Sequence, residues 1–134
     1  MKTKSITILG STGSIGVNTL DIINKNLNIF SIYALIAYGN NIDLMTRQCL
    51  QYKPSYACTM NALSAKLLQN NLLSYSCKTS VLFGSKSACQ LSSSEDMDTL
   101  VAATVGLSGI FFIFSAIESG KKILLANKEV LVSC

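Results

Sequence analysis

The residues best placed to do chemistry are Gly10-Ser11-Thr12-Gly13-Ser14-Ile15-Gly16. They follow the short apolar run Ser5–Leu9 and precede a segment with helical periodicity. Gly10 lets the chain leave a strand in a tight turn, and Gly13, with no β-carbon, lets a pyrophosphate approach the backbone. Gly16 lets the following helix lie close against the sheet. Free N–H groups at that helix start, helped by the helix dipole, suit a phosphate, and Thr12 and Ser14 add hydroxyl donors. The spacing is GxxGxxG rather than the commoner GxGxxG, and no Gly-Lys-Ser/Thr follows, so ATP chemistry of the P-loop kind is disfavoured. A dinucleotide is the expected ligand.

Two further clusters fall where such a ligand would extend. Tyr38-Gly39-Asn40-Asn41 follows the second apolar run, where NAD-binding chains usually carry an acid for the ribose 2′-hydroxyl. The absence of a carboxylate removes repulsion of a 2′-phosphate and favours NADP, although no Lys or Arg stands at this turn either. Asn40 and Asn41 serve equally well as plain turn residues or as a helix cap. The other cluster is Asn127-Lys128-Glu129, after Ile123–Ala126. Lys128 suits a phosphate or an enolate-like oxygen, and Asn127 and Glu129 suit ribose or carboxamide contacts; the same three residues also read as a helix cap and its solvated first turn.

Much other chemistry is excluded. The chain has no histidine, so no Ser-His or Cys-His nucleophile can be built. The five cysteines are odd in number and form no CxxC, which reads as reduced thiols of a cytoplasmic protein. Asp96 and Asp98 read as a solvated loop pair, and no metal site is expected from them. No catalytic residue is assigned. A net charge of +4 with scattered lysines lacks the footprint of a nucleic-acid binder.

The elements that must position these residues alternate. Strands are expected at Ser5–Leu9, Ser31–Ala37, Tyr56–Thr59, Val81–Phe83, Leu100–Val105 and Ile123–Ala126. The first helix, from about Ser14 to Asn26, is expected to bury Ile15, Thr19, Ile22 and Ile23. A second carries Ile42, Met45 and Cys49 and is closed by Pro54; a third is capped by Asn61 and buries Leu68 and Leu72. A short one runs near Lys86–Leu91, and Leu107, Ile110, Phe111, Phe114 and Ile117 make an amphipathic stripe stopped by Gly120. Continuous apolar strands between helices imply a Rossmann-like, doubly wound α/β fold with a mostly parallel sheet. The uncharged stretch Thr99–Ile117 is split by glycines and reads as strand, turn and helix rather than a membrane span.

The 134 residues fit one domain. Only 13% are charged, against about 25% in an ordinary globular chain, so some surface is expected to lie under another domain or subunit. The pattern also stops directly after a strand, as it would in part of a larger protein.

With GSTGSIG at 10–16, the polar turn near residue 40, AATVG at 102–106 and LLANKE at 124–129, the chain resembles the 1-deoxy-D-xylulose 5-phosphate reductoisomerase family from about Lys4 to Cys134. The resemblance implies a protein that rearranges 1-deoxy-D-xylulose 5-phosphate and reduces the product with NADPH to 2-C-methyl-D-erythritol 4-phosphate, in non-mevalonate isoprenoid synthesis. It implies that Thr12, Gly13, Ser14 and Ile15 contact the cofactor's phosphates and that Gly39, Asn40 and Asn41 surround its adenosine-ribose end. Asn127 and Glu129 would complete the cofactor site and Lys128 would reach the substrate. It further implies a homodimer and a divalent metal, magnesium or manganese, whose ligands lie outside this chain. The family commonly has a basic residue where Asn40 stands, and Tyr38 reads as a one-residue insertion. The remaining readings are another reductase of semialdehyde or acyl-phosphate type, which would need a nucleophilic cysteine in a later domain, and a non-catalytic nucleotide-binding relic.

Overall fold

The computed structural model describes residues 3–103 and 120–125. Within them β1 (Lys4–Leu9), α1 (Ser14–Asn24), β2 (Phe30–Ile36), α2 (Ile42–Tyr52), β3 (Tyr56–Thr59), α3 (Ala62–Ser74), β4 (Ser80–Phe83), α4 (Ser85–Ser92), β5 (Thr99–Ala102) and β6 (Lys122–Leu125) follow one another. The strands form one parallel sheet in the order β4-β3-β2-β1-β5-β6. Chain progression runs outward from β1 to β4, then returns to the other side of β1, so the order reverses between β1 and β5. Ligands of open α/β sheets bind outside the strand ends at such a reversal.

Two buried clusters cover the two faces of the sheet, which is why its central strands carry consecutive apolar residues, Ile8-Leu9, Ala34-Leu35-Ile36 and Leu100-Val101-Ala102. On one face Ile8 and Leu35 pack with Leu20 and Ile23 of α1, Met45 and Cys49 of α2, and Leu68 and Leu72 of α3. On the other, Leu9, Ile36 and Leu100 pack with Ala88 and Leu91 of α4 and with Met97. Each fully buried Leu or Ile is worth roughly 1.5–3 kcal/mol relative to exposure. This layering is the doubly wound arrangement expected from the sequence.

The helix α1 differs from its expected face. Its buried residues are Gly16, Leu20 and Ile23, while Ile22 is 63% exposed. Gly16 causes the rotation: it must lie on the turn that precedes the helix, which carries Ile22 outward. Thr19, expected in the stripe, is half-buried and turns its hydroxyl to Ile15 O at 2.8 Å. The helix also ends at Asn24 rather than Asn26, because the amides of Lys25 and Asn26 make short-range bonds to Ile22 O and Ile23 O.

The end of the fifth expected strand (Val105), the stripe Leu107, Ile110, Phe111, Phe114 and Ile117, and the residues Ala126, Asn127, Lys128 and Glu129 lie outside the described residues.

Candidate functional site

The glycine-rich turn is anchored at its base by the ends of β2 and β5. Gly10 and Ser11 both donate to Ile36 O, at 2.7 and 3.2 Å, so the end of β2 holds the turn as it leaves β1. Gly10 adopts φ 90°, which an L side chain rarely tolerates. Gly13 N–H returns to Gly10 O at 3.3 Å, and Val17 N–H to Gly13 O at 2.9 Å starts α1. Ala103 N–H donates to Leu9 O at 2.8 Å, tying the end of β5 to the same point.

The glycines at 13 and 16 have different uses. Gly13 is the N-cap of α1 with φ −74°, an ordinary value, and an added β-carbon would meet only Gly10 O, at 3.7 Å. Its contribution is an approach to the helix start that no described side chain covers. Gly16 is packed directly on the turn: a β-carbon there would collide with Gly10 O and stand 2.8 Å from Ser11 Cα and Ser11 O. Its close contact is with the turn's own backbone rather than with the strands.

Among the described residues, no side chain caps α1. The N–H groups of Thr12, Ser14 and Ile15 have no partner among the described residues. Helices α2 and α3, by contrast, are capped by Asn41 and Asn61. Thr12 is half-buried, Ser14 is exposed, and Ile15 is half-buried at the rim. The arrangement is a short concave run of donors on a positive helix end, suited to bind an anion.

The second turn stands at the end of the neighbouring strand. After β2, Ala37 N–H donates to Cys58 O at 3.0 Å and Met60 N–H to Tyr38 O at 3.3 Å, so the chain continues to pair toward β3 as it enters the turn. Gly39 then takes φ 101°, and a β-carbon there would stand 2.5 Å from Ser64 Oγ and 2.7 Å from Ser64 Cβ. Asn40 is exposed. The Asn41 side chain accepts Leu44 N–H at 3.2 Å, so this residue does act as the cap of α2. The topology thus brings residues 10–16 and 39–41 to the same end of adjacent strands.

Sequence reasoning missed Gln48. It is only 5% exposed, and its Nε2 donates to Ser11 O at 2.8 Å. Its sole visible signal was a polar residue between Met45 and Cys49 on a buried helical face. Asp98 is exposed, as expected, and has a structural role besides: it accepts Ser5 N–H at 2.8 Å through Oδ2 and donates from its own N–H to Ser5 O at 2.9 Å, fixing the start of β1 beside β5. A groove of about 170 Å³ between α1 and α2, near Asp21 and Arg47, is lined by no residue of the turn.

Among the described residues, no three His, Cys, Asp or Glu side chains gather where they could hold a metal ion. Cys49, Cys58, Cys77 and Cys89 are free thiols. Burial pushes the Cys49 and Cys58 thiols up to about 12, with the nearby Cys77 adding to the effect at Cys49. No helix among the described residues is long and apolar enough to cross a membrane.

A parallel sheet reversing at β1 and β5, with a glycine-rich β1–α1 turn at the reversal, defines a Rossmann-like α/β domain of the nucleotide-binding type. The sequence model of the 1-deoxy-D-xylulose 5-phosphate reductoisomerase family matches residues 6–134, and the chain belongs to that family. A 1-deoxy-D-xylulose 5-phosphate reductoisomerase of Wigglesworthia glossinidia brevipalpis is 65% identical over 131 residues, covering 98% of this chain and 33% of the relative. One of Photorhabdus laumondii is 45% identical over 130 residues, covering 97% and 32%. Among solved structures, a reductoisomerase in complex with NADPH, fosmidomycin and magnesium superimposes with a TM-score of 0.87 at 36% identity, over 96% of this chain and 31% of the other. The Zymomonas mobilis enzyme in complex with NADPH gives 0.85 at 29% identity, over 99% and 34%. The chain therefore spans about a third of the length of the relatives it matches.

Proposed function

We propose that residues 1–134 form the NADPH-binding domain of a 1-deoxy-D-xylulose 5-phosphate reductoisomerase, a protein that rearranges 1-deoxy-D-xylulose 5-phosphate and reduces the product to 2-C-methyl-D-erythritol 4-phosphate. The observation that carries the reading is the uncapped start of α1 at the sheet reversal, where the amides of Thr12, Ser14 and Ile15 are unpaired among the described residues. The family membership and the NADPH named in two similar solved structures support it.

In this reading the amides at positions 12, 14 and 15 and the hydroxyls of Thr12 and Ser14 hold the diphosphate, while Gly13 keeps the approach clear. Ile15 covers the rim. Gly39, Asn40 and Asn41 border the adenosine ribose; with no carboxylate in that turn, a 2′-phosphate meets no repulsion there. NADPH, when bound, supplies the hydride for the reduction. Asn127 and Glu129 complete the cofactor site and Lys128 binds the substrate's phosphate or an enolate-like oxygen. The metal, magnesium or manganese, is held by ligands outside this chain. We further propose that the protein acts in the cytoplasm, in keeping with its free thiols, and as a homodimer, in keeping with its low charge.

Titration with NADPH and NADH, followed by fluorescence of the reduced nicotinamide, tests the reading. Saturable NADPH binding, tighter than NADH, is expected. A linear response up to millimolar NADPH would reject it.

A further inference from the structure

We infer that Gln48, on α2, is the positioning residue that aims the glycine-rich turn at its diphosphate; the inference rests on the cofactor reading above. Gln48 is 37 residues from Ser11 in sequence and holds its carbonyl at 2.8 Å. The Ser11 carbonyl and the Thr12 N–H belong to one planar trans peptide unit and point in opposite directions. Drawing Ser11 O inward to α2 therefore turns the Thr12 N–H away from α2. That N–H has no partner among the described residues, as a donor kept for a ligand should.

Packing alone does not account for a glutamine here. The residue is buried with Met45, Thr46 and Cys49 on the inner face of α2, and its Oε1 has no hydrogen-bond partner among the described residues. A buried acceptor left unpaired is costly, so an apolar side chain of the same length would serve the helix core better. What the amide adds is its bond to Ser11. The turn's other bonds, from Gly10 N–H and Ser11 N–H to Ile36 O and from Gly13 N–H to Gly10 O, engage neither the Ser11 carbonyl nor the Thr12 N–H. Gln48 holds that peptide unit directly before the ligand arrives, which is preorganisation of a donor.

The test uses Gln48→Met, equal in length without the donor, and Gln48→Asn, which keeps the amide but falls short of Ser11. Cys49→Ala, a neighbour on the same buried helix face with no contact to the turn, is the control. By NADPH titration both Gln48 variants should bind about tenfold more weakly, the worth of one misaimed donor. Cys49→Ala should lower Tm and leave the affinity unchanged. In proton–nitrogen NMR spectra of the ligand-free chain, the Thr12 amide signal should move in the Gln48 variants and stay in place in Cys49→Ala. Unchanged affinity in a folded Gln48 variant, or affinity that merely follows Tm across all three, would overturn the inference. If the unaltered chain binds no NADPH, the cofactor reading falls; a Thr12 signal that still moves with Gln48 then upholds the aiming of the turn, and one that does not overturns it as well.

Discussion

Gly16 rests on the backbone of Ser11, so closely that a β-carbon at position 16 would stand 2.8 Å from both the Cα and the carbonyl oxygen of Ser11. The neighbouring atoms are backbone held by β1, β2 and Gln48, and cannot swing aside as a flexible side chain would. Gly16→Ala should therefore cost about 2–3 kcal/mol, the upper part of the overpacking range, and should weaken NADPH binding by displacing the turn. Gly13→Ala makes the opposite pairing of effects. Its new methyl has room, so stability should fall by less than about 1 kcal/mol, the scale of an N-cap change, while NADPH affinity should fall by more than tenfold. Urea denaturation and NADPH titration of both variants check the contrast; equal loss of affinity per unit of lost stability would contradict it.

The turn at residue 39 is crowded chiefly by Ser64, with Thr59 Cβ 3.3 Å from where a β-carbon would stand. Gly39 combines φ 101° with a contact that a β-carbon would make on Ser64. Gly39→Ala should cost about 1–3 kcal/mol from the backbone term and the collision together. Adding Ser64→Gly removes the collision and leaves the backbone term, so the double variant should recover part of the loss expected from adding the two single changes. A double-mutant cycle by chemical denaturation measures the difference, and strict additivity would mean that Gly39 and Ser64 do not meet.

Asn41 lets helix capping and cofactor binding be separated. Its Oδ1 accepts Leu44 N–H, so Asn41→Ala should cost about 1 kcal/mol through loss of the cap. Asn41→Asp keeps the acceptor and should be as stable as the unaltered chain. If the adenosine end of NADPH lies at this turn, the new carboxylate repels the 2′-phosphate, so NADPH should bind several-fold more weakly with NADH little affected. Parallel titrations with the two cofactors, alongside thermal melts, give the answer. An aspartate variant that binds NADPH normally would move the 2′-phosphate elsewhere.

The sequence carried the order of elements because central strands such as Ser31–Ala37 are apolar at consecutive positions, a pattern that buried parallel sheets require. It also carried the tight turn at Gly10 and the asparagine cap of α3, since both follow from local backbone needs. The rotation of α1 was not legible, because a hydropathy pattern gives Gly16 no weight although its contact with Ser11 sets which side faces inward. Gln48 escaped for a related reason: a glutamine on a helix reads as solvent-facing until the 37-residue separation from Ser11 is closed in space. Asp98 likewise reads as a loop acid, and only strand pairing shows that it closes the start of β1. At residues 40 and 41 the capping and binding roles share the same amino-acid types, so composition could not choose between them.

Cys49 and Cys58 are both fully buried thiols raised from 9.0 to about 12, by desolvation in each case. A thiol whose folded pKa exceeds its unfolded value keeps its proton longer in the native state. Above pH 9 the unfolded chain therefore loses protons that the folded chain retains, and stability falls as pH rises. The contribution of these two groups is complete below about pH 9 and should drain away as pH climbs toward about 12. Tyr52, raised by burial and then by Asp21, acts in the same direction. Denaturation across this window should show the decline, and Cys49→Ala combined with Cys58→Ala should flatten it. In the folded chain near neutral pH, a thiol-alkylating reagent should label the half-buried Cys77 and Cys89 well before the two buried thiols. Fast labelling of Cys49 and Cys58 under native conditions would show that α2 and β3 open far more readily than their burial implies.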